Sequence, residues 1–591
     1  MVRFNHAGQP HDLPAPRALA CAAALAMGSL AASPSFGACG STGSTIISGA
    51  STGPCTLVAG STLRITNSGK LSSSAAPAIT ADHVNGALDI VNGGRLSGTP
   101  GITLTNSTLE GGITNFFNAN LAVPDSSGTA IVIKDTRLSN GLDNHGTVTS
   151  GSASGSGLDI QGSVVGSLRN IGNMNAADYG LRLRGSTING RWSNSGGVKS
   201  GGTGVAMDSS IVHGEVINTG DLTAGQHGMA LTGSRVDGDV RAWGIISSGA
   251  DALRVVDSYI GRDLITRGTL TADSHGVRLS GGRLAGDQVN QAVITAASGI
   301  TLSSSLTRGN VINEGTIAAS REGLALYSAT VKGTLQNTGG ISVEGGMIQS
   351  GNSSLAALGV HATSVVGGIY NSGSIASSDR VAIQVDTATI TRRGIKNSGG
   401  TVSGRTGLFI DNSGVSGGFS NTGSIFGVGN LGQANGVRVR VRASHVTGNF
   451  TNAGVINSVN GSAIRFDNSA MVGTVTNSRQ LVGSNGLRLQ GTHVDGSINN
   501  SGEIQADIFG IALFDSDLSG DLINTGTISS TNVAVRLSDS TILGTLRNGG
   551  TVAGQYGISL RNTRITGGID INGSVLADTE QVGQVRLAVP F

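Results

Sequence analysis

The chain has 591 residues and a formal net charge of +2, so no basic field marks it as a nucleic-acid binder. Glycine supplies 95 residues and proline only 9. Without a glycine triplet this excludes collagen, and the regular recurrence of valine, isoleucine and leucine excludes a disordered polar chain. Aromatics are 3% of the residues, which argues against a base-stacking platform and weakly against a sugar-binding cleft.

Residues 1–37 read as a signal peptide. Arg3 and Arg17 flank a polar start, Ala18 to Ala32 form an apolar run, and Ser35 and Gly37 offer small residues for cleavage after Gly37. The run is too short to span a membrane comfortably, and no later run of about 20 apolar residues follows, so no transmembrane helix is expected. Cys21 would leave with the signal. Cys39 and Cys55 would remain, and in an oxidising compartment they are expected to pair. The rival is lipidation at Cys39, in "FGAC", which Phe36 fits poorly and which would strand Cys55.

Residues 38–99 are expected to hold an N-terminal cap, from Ala38 to about Val84, and the first rungs. Such a cap would shield backbone that otherwise templates aggregation. From residue 100 to 575 the chain repeats itself. Gly166, Gly190, Gly214, Gly238, Gly261, Gly286, Gly309 and Gly333 recur at about 24 residues, and Gly448, Gly473, Gly496, Gly520, Gly544 and Gly567 resume the series. A period of this length means a solenoid whose units bury apolar faces only against their neighbours.

Within a unit the alternation has period two. After Gly214, Val216, Asn218, Gly220 and Leu222 share one parity, then Met229 and Leu231 share another stretch, with Ala230 on the opposite face. That is strand, not helix. Leucine-rich repeats need more leucine and a different return, and hexapeptide helices have a shorter period. The predicted fold is therefore an all-β, right-handed parallel β-helix.

An asparagine with glycine two residues on recurs at Asn144, Asn170, Asn194, Asn218, Asn313, Asn337, Asn371, Asn397, Asn421, Asn452, Asn500, Asn524 and Asn548. The parity points inward at a corner. Asparagine would tolerate a left-handed bend there, stacked amides would satisfy one another, and the glycine would supply positive φ. Ala242 and Thr266 replace it in two units. Residues 340–395 break the register and are expected to be a lateral loop or a seam, where a solenoid often carries specificity.

The repeats V-x-N-x-G-x-[IL] and G-[ILV]-x-[LV], on an exported chain rich in Gly, Ser, Thr and Asn, resemble those of autotransporter passenger domains, the pertactin-like group above all. The resemblance covers roughly residues 100–575. It implies secretion across the outer membrane of a Gram-negative bacterium and display at the cell surface, with adhesion, autoaggregation or biofilm roles. The partners implied are host or bacterial surfaces, glycans or matrix, and other copies of the chain. No translocating β-barrel of the family's kind is expected from residues 576–591: this tail alternates at Val585, Leu587 and Val589 and ends in Phe591, but one strand interrupted by Pro590 is not a barrel. A truncated passenger, export by a separate protein and a free secreted β-helix all remain open.

Parallel β-helices also house polysaccharide lyases and hydrolases, which is the rival reading. Just before the second glycine of successive units stand Tyr179, Thr203, His227, Asp251, His275, Ser298 and Glu322. On consecutive rungs His227 and His275 would flank Asp251, as a metal or proton-transfer site needs. The plainer expectation is a solvated turn column. A second column places Arg182, Arg254, Arg278, Arg438, Arg465, Arg488 and Arg536 at outward parity, with Arg440 and Arg442 beside it. It would either engage an anionic glycan or keep the rod soluble. No nucleophile elbow, zinc-binding helix, calcium-binding nonapeptide or P-loop occurs. The reading is a non-enzymatic surface protein, with no catalytic, cofactor-binding or metal-ligating residue assigned and no cofactor expected.

Overall fold

The computed structural model describes residues 39, 42–74, 76–124, 128–151, 153–344, 355–427 and 437–577. Among them every regular element is a strand, and every pairing is parallel to a neighbour about one repeat away, as in Val216–Asn218 on Val240–Ala242. The molecule is a parallel β-solenoid of about 21 turns with rungs of about 24 residues. The predicted signal peptide, the cleavage point and all but the first two residues of the tail lie outside the described residues.

One rung shows how the sequence makes the turn. Val216–Asn218, Leu222–Ala224, Met229–Thr232 and Arg235–Val236 are four short strands. Val216, Leu222, Met229, Leu231 and Val236 are all fully buried, so alternation delivers five apolar side chains per rung to one axial core. The core is continuous from Cys39 to Ile565.

The strands stack into three sheets of 22, 39 and 20 strands. The 22-strand sheet ends each rung's pass with the asparagine. The 39-strand sheet takes two strands per rung, joined across an inner corner where Val293–Ser303, Thr316–Tyr327, Gln480–Gln490 and Glu503–Phe514 run through unbroken. The 20-strand sheet is made of strands of two or three residues, such as Ile211–Val212. At about 4.8 Å per rung, 22 stacked strands make a rod on the order of 100 Å long.

Stacking begins at Gly43–Ile47, which pairs with Ser61–Ile65 inside the stretch expected to hold the cap. Cys39 and Cys55 form a disulfide, with Cα atoms 5.0 Å apart. Between 340 and 395 the ladders continue: Gly340–Val343 pairs with Ser374–Ser377, and Ala356–His361 with Val381–Asp386. Residues 345–354 of that stretch lie outside the described residues.

The asparagines form the predicted ladder. Asn144 Nδ2 donates to Asn170 Oδ1 at 2.6 Å, and Asn170, Asn194 and their successors repeat the contact. The ladder also takes in Asn92, Asn115, Asn290 and Asn477. The last three lack glycine two residues on, so the N-x-G pattern could not show them. Ala242 breaks the series, and Thr266 resumes it by donating to Asn290 Oδ1 at 2.7 Å.

The expected reason for the pattern needs correction. None of the ladder asparagines adopts positive φ, and of the glycines two residues after them only Gly399 does, at +77°. The others are required because the rungs touch, while at Gly399 nothing stands within 4 Å of an added Cβ. A Cβ on Gly196 would overlap the carbonyl oxygen of Gly172, and one on Gly220 that of Gly196. Positive φ falls at a different corner, between the 39-strand and 20-strand sheets, at Asp135, Gly185, Ser209, Asp257, Asn412 and Asn468 among others. The residue after it is commonly Ser or Thr and makes a second ladder. The Ser186 amide donates to Ser210 Oγ at 3.2 Å, and the Ser210 amide to Ser234 Oγ at 3.1 Å. Most of these hydroxyls in turn donate to the carbonyl two residues back, as Ser210 does to Asp208, while Ser305 Oγ has no partner among the described residues. Apart from Ser305, both polar columns are thereby satisfied inside the wall.

Candidate functional site

Three groups of side chains stand out on the wall, all on or beside the inner corner of the 39-strand sheet.

The first is the predicted column. His275 pairs with Ser298 and Ser298 with Glu322 in register, and the same spacing carries the column back through Asp251, His227, Thr203 and Tyr179. His275 Nδ1 lies 2.9 Å from Asp251 Oδ1, and His227 Nδ1 lies 3.6 Å from Asp251 Oδ2. The structure thus brings the three together. The two imidazoles differ in role. The Asp251 amide donates to His227 Nδ1 at 3.3 Å, so that nitrogen carries the lone pair and the proton sits on Nε2. His275 Nδ1 donates to the carboxylate, with Ser274 Oγ also at 2.8 Å.

Asp251 is not a solvated turn residue: its side chain is 3% exposed. The corner folds its polar groups inward instead of releasing them to water. Burial alone would raise the Asp251 carboxyl. The His275 hydrogen bond and the charges of His275, His227 and Arg278 outweigh it and hold the group below its ordinary value. Burial, against the pull of Asp251, depresses His227, helped by the charges of Arg254 and Arg278. Among the described residues no three His, Cys, Asp or Glu side chains are grouped to hold a metal ion. The arrangement fixes a proton on a buried Asp–His pair.

The second group lies further along the column. The Tyr327 hydroxyl donates to buried Glu322, and the Tyr327 ring stacks on His361 at 5.0 Å between centroids. His361 Nδ1 stands 3.7 Å from Asp386 Oδ2. Burial raises the Glu322 carboxyl, against the Tyr327 hydrogen bond and the charges of Arg321 and Arg380. Sequence reasoning placed Glu322 in the column but missed Tyr327, five residues on, and the His361 and Asp386 of later rungs. They end three successive strands as register partners, Tyr327 on His361 and His361 on Asp386, and that shared column was the available signal.

The third is the arginine column, which is real but shifted at one place. Phe409, Arg440, Arg465 and Arg488 are register partners on successive rungs. Arg440, not Arg438, occupies the outward position. Arg438 is fully buried at the corner, two residues earlier, where its guanidinium donates to the carbonyls of Gly404 and Arg405. Phe409 and Arg440 are register partners 31 residues apart instead of about 24, so counting from the nearest glycine lands two residues short. Arg440 and Arg465 both bind Asp467, at 3.0 and 2.6 Å, and Arg442 pairs with Asp411. Arg440 and Arg442 lie over the Phe409 ring, and Arg488 over Phe514 at 5.0 Å. Arg536 donates to Ser559. Upstream, Arg254 and Arg278 are adjacent and face Asp251, while two alanines, Ala206 and Ala230, separate them from Arg182. Most of this charge is spent on neighbouring carboxylates, which leaves little field for a polyanion.

No protein-family model matches the chain, and no curated protein or solved structure does so. Among the described residues no helix is long and apolar enough to cross a membrane.

Proposed function

We propose that the chain is an exported β-helix passenger of the pertactin-like type, displayed at or released from a Gram-negative cell surface, where it acts as an adhesin. The observation that supports this most is the regularity of the solenoid. A single core holds one outer wall at constant pitch over about 21 turns. A rod of that kind presents a long contact surface to an extended partner, and stacking rather than a large globular core supplies its stability. The leader-like residues 1–37 and the Cys39–Cys55 bridge fit an oxidising destination.

Two measurements test the reading. Residues 1–60 fused to a leaderless alkaline phosphatase should give periplasmic activity in a Gram-negative host. Beads coated with the exported chain should bind bacterial or epithelial surfaces more than beads coated with an unrelated protein. Cytoplasmic retention or indifferent beads would count against it. The Asp251–His275 hydrogen bond favours a second reading, a polysaccharide-acting β-helix enzyme. If that reading holds, Asp251→Asn abolishes a glycan-cleaving activity that the parent chain shows.

A further inference from the structure

The inner corner opens near both ends of the rod, with the smaller opening, about 500 Å³, lined by residues including Thr52, Ser72 and Ser97 and the larger one toward the other end. Its inward column is small on rung after rung: Ser458, Gly483, Ala506, Ser530 and Gly554 occupy it in succession. Upstream, arginines fill the equivalent space. The Arg438 guanidinium lies where a Cβ of Gly427 would be, and Arg380 donates to the Arg321 carbonyl at 2.6 Å. Downstream the corner opens into a groove of about 850 Å³ lined from Asn457 to Leu576.

Along one wall Asn457, Val482, Gln505, Ser529, Ala553 and Leu576 stand on consecutive rungs. Five spacings of about 4.8 Å make a straight trough of roughly 24 Å. We infer that this trough is a binding site for an extended, uncharged glycan. The inference deepens the adhesin reading and rests on it for its biological setting only.

Four features select that ligand. The strands flooring the trough are paired on both sides, so a peptide finds no free ladder to extend. Among the described residues no Lys or Arg lines it, while Asp507 does, which opposes nucleic acid and acidic polysaccharide. The amides of Asn457 and Gln505 and the hydroxyls of Ser529 and Thr531 both donate and accept, as sugar hydroxyls require. Val459, 52% exposed, and Val482 give apolar surface to the sugar C–H faces. The scarcity of aromatics noted from composition is met by hydrogen bonding in place of ring stacking.

Affinity electrophoresis of the exported chain tests this, using gels that hold neutral linear glucans, mannans or galactans, or polygalacturonate. At least one neutral glycan should retard the chain and polygalacturonate should not. Ala553→Trp, in mid-trough, should weaken that retardation at least tenfold at an unchanged melting midpoint, and Ala376→Trp, upstream in the same wall, should not. If Ala553→Trp does not fold, Gln505→Ala replaces it and should weaken binding severalfold. The inference is overturned if no neutral glycan retards the chain, if the trough variant binds like the parent, or if only polygalacturonate binds. Beads that adhere without any glycan retardation would sink the trough alone. Glycan retardation without bead adhesion would sink the adhesin reading alone.

Discussion

Asn397 Nδ2 donates to Asn421 Oδ1 at 2.8 Å, and both side chains are buried. Twenty-four residues apart in sequence, they are adjacent links in a chain of amides that runs down one corner of the rod. Most links also donate to a nearby carbonyl, as Asn397 does to Gly400. The ladder is therefore directional, and its ends differ from its middle.

That difference is measurable. Asn397→Ala orphans one Nδ2 hydrogen of Asn371 and the Oδ1 of Asn421. Asn218→Ala orphans only a hydrogen of Asn194, because Ala242 already ends the ladder beyond it. Asn397→Ala should lower stability by about 1 kcal/mol more than Asn218→Ala, read from urea unfolding midpoints.

The two kinds of glycine should separate as clearly. Gly196→Ala drives a Cβ into the Gly172 carbonyl oxygen and should cost about 3 kcal/mol or more. Gly185 has φ of +54° with nothing within 4 Å of a built Cβ, and Asn412 and Asn468 occupy the equivalent position in other rungs. Gly185→Asn should change stability by less than about 1 kcal/mol. Thermal melts of the two variants decide it.

Fold class was legible because one physical constraint, a rung that is stable only against its neighbours, forces the same spacing on glycine, asparagine and the apolar positions. The stack of His227, Asp251 and His275 was legible for the same reason. What a residue does within that spacing was harder to read. The N-x-G glycines looked like turn formers, yet for all but Gly399 their role is close approach between rungs, a property of two chain segments that a single repeat does not display. The serine ladder was passed over because serine is abundant throughout. Arg438 was misplaced because a longer rung shifts the count by two. The groove depends on which small residues no large side chain covers, and that is settled only by packing.

The acid response follows from His227. Burial holds its folded pKa below the ordinary 6.5, so the folded state favours the neutral ring. That contribution is fully present above pH 6.5 and is lost as pH falls through the folded value. Asp251, also held low, adds a loss in the same direction at lower pH, below about 4. His361, depressed by burial, acts with His227. Stability should fall as pH drops from 7 to 5, and His227→Gln should flatten part of that slope. A melting midpoint with the same pH dependence in both chains would contradict this.

Glu322 has the opposite sign. Burial raises its folded pKa, so its protonated form is favoured, and its contribution is lost as pH rises from about 4.5 through the folded value. Glu322→Gln keeps an acceptor for the Tyr327 hydroxyl and removes the buried charge. The variant should melt higher than the parent at pH 7, with the gap closing toward pH 4. A variant that melts lower at pH 7 would show that the ionised carboxylate stabilises the corner.

The central claim is that the chain is one unbroken stack, so distance along the rod follows rung count. Lys199 and Ser403 face outward in one column, eight rungs apart. Spin labels at Lys199→Cys and Ser403→Cys, in a chain carrying Cys21→Ser, measure that separation by pulsed dipolar spectroscopy. The stack predicts a narrow distribution centred near 38 Å, from about 4.8 Å per rung. A broad distribution, or a mean outside the reach of the label arms from that value, would contradict it.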